Sequence, residues 1–230
     1  MVKTAFKDVL HVFFPHVCTG CGSDVVERLN MLCLRCLAEL PGTNFFGQSD
    51  NPVEQKFYGR MPVRHGAAAY YFTKDSMLEK LVYQLKYQGN KEIGFYLGKM
   101  MGEMLQNSER FQSVDAIIPL PLNKRREKKR GYNQATAIAN GINAVWNKPV
   151  LDKAVVRKIY TETQTKKDRL SRWENMKNVF SIAKPELLCG KHLLLVDDVI
   201  TTGASLEACG AEMLKADSVT LSIATLACTN

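Results

Sequence analysis

The sequence predicts an α/β fold, a parallel sheet flanked by helices, with a small cysteine-rich module at the N-terminus. The first observation is that, from Gly66 onward, short apolar runs alternate with segments whose apolar residues recur every three or four positions. Strands and helices that alternate in this way form parallel sheets with helices on both faces. The second observation is two close pairs of cysteines near the N-terminus, which indicate a metal-binding head.

Four apolar runs are the predicted strands, at residues 67–72, 114–118, 193–196 and 219–226. Their continuous apolar character is typical of strands that are covered on both faces. Amphipathic stripes predict the intervening helices, at Leu78, Leu81, Val82 and Leu85, at Ile93, Leu97, Met100, Met101, Met104 and Leu105, at Ala135, Ile138, Ala139 and Ile142, and at Leu206, Cys209, Met213 and Leu214.

The composition divides the chain into three predicted parts. Residues 1–45 carry an amphipathic helix over 3–14 and then a four-cysteine zinc ribbon. Residues 46–65 form a linker, because prolines and glycines recur there without any hydrophobic periodicity. Residues 66–230 form the main domain, whose length suffices for a sizeable core.

The overall composition is that of a soluble globular protein, with 46 % hydrophobic and 23 % charged residues among 230. No apolar run approaches the roughly 18 residues that a membrane helix needs, so stable membrane insertion is not expected. Lys7, Asp8 and His11 interrupt any apolar core of a signal peptide, and we expect a cytoplasmic protein. The net charge of +8 favours polyanionic partners, although it also serves solubility.

An acidic pair and a hydroxyl-rich turn follow the strand at 193–196. Asp197 and Asp198 end the strand, and a turn then precedes a predicted helix. A phosphate at this helix start would meet unpaired N–H groups, the positive end of the helix dipole and hydroxyl donors. The alternative is ordinary helix capping, which requires neither two carboxylates nor three hydroxyls around a glycine. The predicted phosphate ligands are Thr201, Thr202, Gly203, Ala204 and Ser205.

The cysteine pairs have the spacing of a structural metal site. Cys18 and Cys21 are separated by two residues, as are Cys33 and Cys36. Four thiolates can enclose Zn²⁺ tetrahedrally and leave no open position for a substrate. A redox dithiol or incidental cysteines are the alternatives. The remaining cysteines, Cys189, Cys209 and Cys228, are expected to be small core residues.

A dense basic segment follows the strand end at Pro119-Leu120-Pro121. Six of the seven residues from 124 to 130 are Lys or Arg, in what is predicted to be a loop. A pyrophosphate or a nucleic-acid backbone would suit this charge, since ligands of α/β folds bind at strand ends. The alternative is a solvated charged loop. The predicted contacts are Lys124, Arg125, Arg126 and Arg130.

A long polar segment at 157–180 lacks periodicity and is predicted to be a lid. Loops of this length inside compact domains often close over a ligand and exclude water. A basic lid would stabilise negative charge on a leaving group. A flexible exposed loop or a nucleic-acid contact are the alternatives.

These motifs together resemble the ComF (GntX-like) family. The resemblance rests on the four-cysteine head, Leu85-Lys86-Tyr87-x-Gly89, Pro119-Leu120-Pro121, Arg130-Gly131-Tyr132-Asn133-Gln134 and the 196–204 stretch, and it spans nearly the whole chain. It implies a zinc ribbon before a type I phosphoribosyltransferase domain, and a link to natural competence. By the same resemblance, Asp197 and Asp198 hold the ribose hydroxyls of phosphoribosyl pyrophosphate, and the Thr-Thr-Gly turn holds its 5-phosphate.

Two positions depart from the family pattern. Ser205 stands where Thr is frequent, which preserves the hydroxyl, and Asn175 stands where an Arg is expected in the lid. The second departure weakens any pyrophosphate contact from the lid.

Three functional hypotheses follow. In the first, the protein transfers a phosphoribosyl group from phosphoribosyl pyrophosphate, with Mg²⁺ bridging the ribose hydroxyls and the pyrophosphate. In the second, the pocket is a sensor of that ligand or a catalytically inactive relic, while the zinc ribbon and basic segment bind single-stranded DNA or a DNA-uptake protein. Tyr132 would then offer a stacking surface beside Arg130. In the third, the zinc head docks a partner protein.

Overall fold

Four parallel strands form the central sheet of the computed structural model, which describes residues 16–27, 30–158 and 179–229. The strands are β1 (Gly66–Tyr71), β2 (Ala116–Pro119), β5 (His192–Ile200) and β6 (Thr220–Cys228). They lie in the order β1-β6-β5-β2, and every neighbouring pair is parallel. The two central strands are buried along most of their length, as their continuous apolar sequence predicts.

Helices cover the sheet and its ends. Their bounds are α1 (Leu34–Ala38), α2 (Pro52–Gln55), α3 (Met77–Tyr87), α4 (Lys91–Gln106), α5 (Lys124–Arg130), α6 (Gln134–Trp146) and α7 (Ala204–Met213). Short 3₁₀ turns cover Glu109–Phe111 and Pro185–Leu187. Helices α4 and α6 pack closely where Gly98 faces Ile138, since a Cβ at Gly98 would lie 2.2 Å from the Ile138 carbonyl oxygen. No helix in the described part of the chain is long and apolar enough to cross a membrane.

A small antiparallel pair stands beside the main sheet. Strands β3 (Val155–Arg157) and β4 (Phe180–Ile182) pair with each other, and Arg157 stacks over the Phe180 ring at 5.3 Å. The predicted lid lies almost entirely at 159–178, outside the described residues, as does the predicted helix at 3–14. Asn175 of the lid is among them.

The predicted parallel α/β architecture is confirmed, but the loop predicted at 124–130 is wrong. This segment is helix α5. The Asn123 side chain caps its first turn by accepting a hydrogen bond from the Arg125 N–H, and Gly131 ends it at a φ of 80°. Lys and Arg are good helix formers, so a charge run between these two caps folds as a helix.

The 46–65 stretch packs into the same core as the sheet. Phe57 is 1 % exposed and Val53 is fully buried, and both join the hydrophobic cluster that also contains Leu32 of the cysteine head. The division into a head, a linker and a main domain stays a prediction. Among the remaining cysteines, Cys209 and Cys228 are buried as expected, whereas Cys189 is exposed, because it lies in the turn after the second 3₁₀ helix.

Candidate functional site

The acidic pair lies near the carboxyl end of the central strand β5. The strand continues through Asp197 and Asp198 to Ile200, further than its apolar run indicates, because Asp197 and Ile200 still pair in register with β6. The Asp198 N–H donates to Oδ1 of Asp197 at 2.8 Å, and the Val199 N–H donates to Oδ1 of Asp198 at 2.6 Å. Two consecutive carboxylates therefore lie near a strand end, where parallel sheets bind ligands.

A tight turn joins this strand to helix α7. Gly203 is the N-cap residue at a φ of 76°, a left-handed conformation that L residues with a side chain rarely adopt. A Cβ at Gly203 would also lie 3.1 Å from the Phe57 ring. Within the described structure, no side chain caps α7, and a long 3.4 Å contact from the Ala204 N–H to Thr202 Oγ1 is the nearest approach to one.

The predicted phosphate ligands surround this helix start. Thr201, Thr202, Ala204 and Ser205 are exposed, and only Gly203 is buried. Exposed hydroxyls beside first-turn N–H groups place hydrogen-bond donors at the positive end of the helix dipole. Among the described residues, no side chain caps the start of α7. This argues against the alternative that the hydroxyls of the turn serve only to cap the helix.

The segment predicted to be a linker supports the turn from behind. Arg60 Nη1 donates to the Thr202 carbonyl at 3.0 Å and to the Lys56 carbonyl at 2.8 Å, while Nη2 pairs with Glu207 of α7. Arg60 and Phe57 thus hold the turn against the first part of α7. Sequence reasoning missed both, because Pro and Gly content indicates irregular backbone but not which side chains of that backbone pack.

The two aspartates differ in their electrostatic surroundings. Burial and then the negative charge of Asp198 raise the pKa of Asp197 to about 8. Asp198 instead faces a cation, since Nζ of Lys86 lies 3.0 Å from its Oδ1. Asp197 therefore resists ionisation, whereas Lys86 offers Asp198 a compensating positive charge.

Arg157 lies at the edge of this site, at the end of β3. Burial lowers the pKa of its guanidinium, and the nearby charge of Arg126 lowers it further, while Asp197 raises it. Arg157 also lines the cleft that Lys124 of α5 borders. Arg157 was predicted only as the start of the lid.

The predicted basic contacts lie on helix α5 and have different exposures. Lys124, Arg125 and Arg126 are exposed, whereas Arg130 is half-buried and donates to Oε1 of Gln134 at 2.7 Å. Lys124 lines a cleft of about 420 Å³ together with Arg157 and other residues of α6 and β3. The cleft thus brings the start of α5 next to α6 and β3. The ligand contacts of its side chains stay predictions.

The four cysteines converge at the N-terminal head. The Sγ atoms of Cys18, Cys21, Cys33 and Cys36 all lie within 4.8 Å of one another. Cys21 and Cys33 have Sγ atoms 3.7 Å apart, close to the edge of about 3.8 Å expected when four sulfurs surround Zn²⁺ at about 2.3 Å. The residues present therefore fit a tetrahedral zinc centre.

Backbone donors prepare this centre for thiolates. Burial acts to raise the pKa of the Cys18 thiol, but hydrogen bonds from neighbouring N–H groups, first that of Cys33 at 3.2 Å, lower it to about 6. Burial and the adjacent thiols raise the pKa of Cys36. A bound Zn²⁺ would favour the thiolate form at all four positions.

Comparison with known proteins finds one matching domain family and several proteins of similar sequence. Residues 128–230 match the family described as "Phosphoribosyl transferase domain". Competence protein F of Haemophilus influenzae is 29 % identical over 204 residues, which cover 86 % of this chain and 83 % of that protein. The chain belongs to the ComF family. Competence protein ComFC of Bacillus subtilis is 28 % identical over 156 residues, covering 64 % of this chain and 59 % of that protein.

The chain is also similar to proteins named for DNA utilization. DNA utilization protein YhgH of Shigella flexneri is 30 % identical over 149 residues, which cover 64 % of this chain and 65 % of that protein. Among solved structures, the glutamine phosphoribosylpyrophosphate amidotransferase of B. subtilis complexed with ADP and GMP aligns at 16 % identity and a TM-score of 0.43. That alignment covers 61 % of this chain and 30 % of that one.

One ComF motif occupies an unexpected place. Leu85, Lys86 and Tyr87 end helix α3, and Gly89 follows at a φ of 71°. The sequence suggested no role for this motif, yet Lys86 contacts the acidic pair. The apolar stripe of α3 predicts its buried face but not which distant strand a polar neighbour of that face will meet.

Proposed function

We propose that the site on β5 and α7 binds phosphoribosyl pyrophosphate through its ribose 5-phosphate group. The observation that carries this proposal is the juxtaposition of Asp197 and Asp198 with an uncapped helix start rimmed by exposed hydroxyls. A carboxylate pair suits sugar hydroxyls, and an uncapped helix start suits a dianion. A sugar phosphate carries both kinds of group in one molecule.

The 5-phosphate would bind at the turn. Its oxygens accept hydrogen bonds from the N–H groups that follow Gly203 and from the hydroxyls of Thr201, Thr202 and Ser205. Gly203 has no side chain to obstruct the backbone, and Phe57 occupies the space behind it. Arg60 keeps the Thr202 carbonyl turned away from the phosphate by donating to it.

The ribose would bind at the acidic pair, with Mg²⁺ beside it. Asp197 and Asp198 would accept hydrogen bonds from the ribose hydroxyls, and their oxygen atoms are the type of ligand that Mg²⁺ prefers. Mg²⁺ held there by Asp197 and Asp198 would supply positive charge that offsets the charge of the pyrophosphate. The basic side chains Lys124, Arg125, Arg126 and Arg130 would supply further positive charge to the pyrophosphate.

As an enzyme, the protein would transfer the phosphoribosyl group to a nucleophile. The bond between the anomeric carbon and the pyrophosphate oxygen breaks, the nucleophile forms the new bond with inversion, and pyrophosphate leaves with the electron pair. Asp197 and Asp198 would stabilise the positive charge that develops on the ribosyl ring. This role is electrostatic and needs no proton transfer by either carboxyl.

A second candidate is a catalytically inactive module that senses this ligand or binds single-stranded DNA. Exposed Tyr83 and Tyr87 stand beside basic helix α5, with Arg130 over the Tyr87 ring at 5.5 Å. Stacking aromatics next to a positive surface suit single-stranded nucleic acid. The predicted stacking residue, Tyr132, is half-buried, and its hydroxyl donates to the Leu85 carbonyl.

The setting we propose is DNA uptake during natural transformation. It is supported by relatives named competence proteins and DNA utilization proteins. The zinc head exposes Val25 and Leu34, which suits contact with a DNA-uptake partner. We place this activity in the cytoplasm, since a thiolate zinc centre suits a reducing compartment.

Calorimetric titration of the full chain with phosphoribosyl pyrophosphate and Mg²⁺ tests the binding proposal. We expect saturable binding that ribose 5-phosphate competes for and that free ribose does not. Equal weak responses to all three ligands would remove its basis. Turnover is tested separately, by pyrophosphate release in the presence of nucleobases, amines or single-stranded DNA. Binding without release under every condition selects the sensing alternative.

A further inference from the structure

The end of helix α3 connects the acidic pair to the basic helix. Three consecutive residues make three different contacts there. The Leu85 carbonyl accepts a hydrogen bond from the Tyr132 hydroxyl, Lys86 pairs with Asp198, and the Tyr87 ring lies under the Arg130 guanidinium. One short motif thus holds the turn after α5 and reaches the carboxylates of β5.

Lys86 differs from an ordinary surface lysine. Its side chain is 22 % exposed, and that of Asp198 is 11 % exposed, so water screens their attraction only in part. Lysine pairs on open surfaces contribute little and rearrange freely, whereas an ammonium held this close to a buried carboxylate has a defined position. That position is inside the candidate phosphoribosyl site.

The chemistry of the donor places its pyrophosphate close to this ammonium. In phosphoribosyl pyrophosphate, the pyrophosphate is attached to the anomeric carbon, and the adjacent carbon bears a hydroxyl. A carboxylate that binds the ribose hydroxyls therefore lies within a few bond lengths of the pyrophosphate oxygens. The stem of a lysine is a flexible four-carbon chain, so its ammonium can pass from that carboxylate to those oxygens without backbone movement.

We propose that Lys86 releases Asp198 when the ligand enters and binds the pyrophosphate group of the donor instead. This proposal rests on the proposed phosphoribosyl pyrophosphate site and adds a residue to it. Before ligand binds, the ion pair neutralises Asp198. After ligand binds, the ribose hydroxyls satisfy Asp198, and Lys86 neutralises charge on the leaving group.

The neighbouring contacts keep Lys86 in reach of both partners. Leu85 lies in the last turn of α3, where carbonyls lack helical N–H partners, and Tyr132 satisfies one of them. Gly89 then turns the chain at a φ of 71°. Tyr132 is on this account a positioning residue, which fixes where the stem of Lys86 begins.

The alternative is that Lys86 is only a structural counter-ion of Asp198. The two roles differ in their response to a ligand that lacks pyrophosphate. A pyrophosphate-binding lysine matters for phosphoribosyl pyrophosphate and not for ribose 5-phosphate. A structural counter-ion affects both ligands alike, through the shape of the ribose site.

The test uses Lys86→Met, which keeps much of the length of the stem and removes the charge, in the full chain with Mg²⁺. We expect affinity for phosphoribosyl pyrophosphate to fall about 10- to 100-fold, the loss of one charge-assisted hydrogen bond, and affinity for ribose 5-phosphate to change less than about twofold. Lys86→Arg should recover part of the lost affinity. Lys80→Met, an exposed lysine on the same helix, is the matched control.

Two results would overturn the proposal. Equal losses for both ligands assign Lys86 a structural role, and unchanged affinity for phosphoribosyl pyrophosphate removes it from the site. If Lys86→Met unfolds, the ratio of the two affinities in Lys86→Arg decides the same question. A wild-type chain that binds neither ligand contradicts the proposed function itself, which separates that failure from failure of the Lys86 assignment.

Discussion

Lys86 of α3 and Asp198 of β5 form an ion pair, with Nζ 3.0 Å from Oδ1, whereas Asp197 beside them has no such cation at contact distance among the described residues. Lys86 thus offers a compensating charge in direct contact with Asp198. Burial and the charge of Asp198 raise the pKa of Asp197 to about 8. The site thus disfavours a second negative charge, which a bound cation would stabilise.

The raised pKa of Asp197 predicts a pH-dependent stability. The pKa of Asp197 is higher in the folded than in the unfolded chain, so its contribution to stability is full at low pH and is lost as the pH rises from about 4 through about 8. Asp197→Asn should raise the free energy of unfolding at pH 8.5 by on the order of 2 kcal/mol, and less at pH 5. Urea unfolding at both pH values measures this. Asp217→Asn, at an exposed aspartate, is the control and should leave the free energy of unfolding unchanged at both pH values. A lower free energy of unfolding for Asp197→Asn at pH 8.5 would refute the assignment.

Gly203 should tolerate no side chain. Gly203→Ala meets both a φ of 76° and the Phe57 ring at 3.1 Å, and we expect a loss of about 2 kcal/mol in unfolding free energy together with weaker binding of ribose 5-phosphate. Gly190→Ala is the matched control, since its φ is 70° but nothing lies within 4 Å of the added Cβ. Equal effects of the two variants on ligand affinity would show that the turn does not bind the phosphate.

Arg60 should affect ligand binding more than stability. It is partly exposed, so we expect Arg60→Ala to cost less than about 1 kcal/mol in unfolding free energy. The Thr202 carbonyl would lose its donor, and affinity for ribose 5-phosphate should fall several-fold. Calorimetry and thermal unfolding measure the two effects. Arg35→Ala, which removes an exposed i,i+4 ion pair in the zinc head, provides the control, and an unaltered affinity in Arg60→Ala would contradict the supporting role.

The cysteine head should contain one zinc ion per chain. Cys18→Ser should remove the metal and lower the melting temperature by at least about 5 °C, because the thiolates that close the head would repel one another or protonate. Elemental analysis and thermal unfolding measure these quantities. Cys189→Ser replaces an exposed cysteine outside the cluster and should leave both unchanged. Full-length protein purified without chelator that holds no zinc would contradict the assignment.

The sequence predicts the centre of this site better than its surroundings. Asp197, Asp198 and the Thr-Thr-Gly turn are nearly contiguous, so one strand end brings them together without knowledge of the rest of the fold. The cysteine spacing likewise encodes its own geometry. Lys86 is different, because its partner lies on a strand far along the chain and only tertiary packing unites them.

The basic segment and the predicted linker show two other limits. The charge of residues 124–130 suggested an open loop, while helix propensity and two caps determine the observed helix. The prolines and glycines of 46–65 correctly indicate irregular backbone, except where the short helix α2 forms. They do not indicate that Phe57 and Arg60 from this stretch support the turn before α7.

The most direct test of the account is a crystal structure of the full chain with phosphoribosyl pyrophosphate and Mg²⁺ at saturating concentration. We predict the 5-phosphate within hydrogen-bond distance of the N–H groups after Gly203, the ribose hydroxyls on Asp197 and Asp198, and the pyrophosphate facing Lys86. A ligand whose phosphate groups lie on helix α5 alone, with the β5–α7 turn unoccupied, would contradict it.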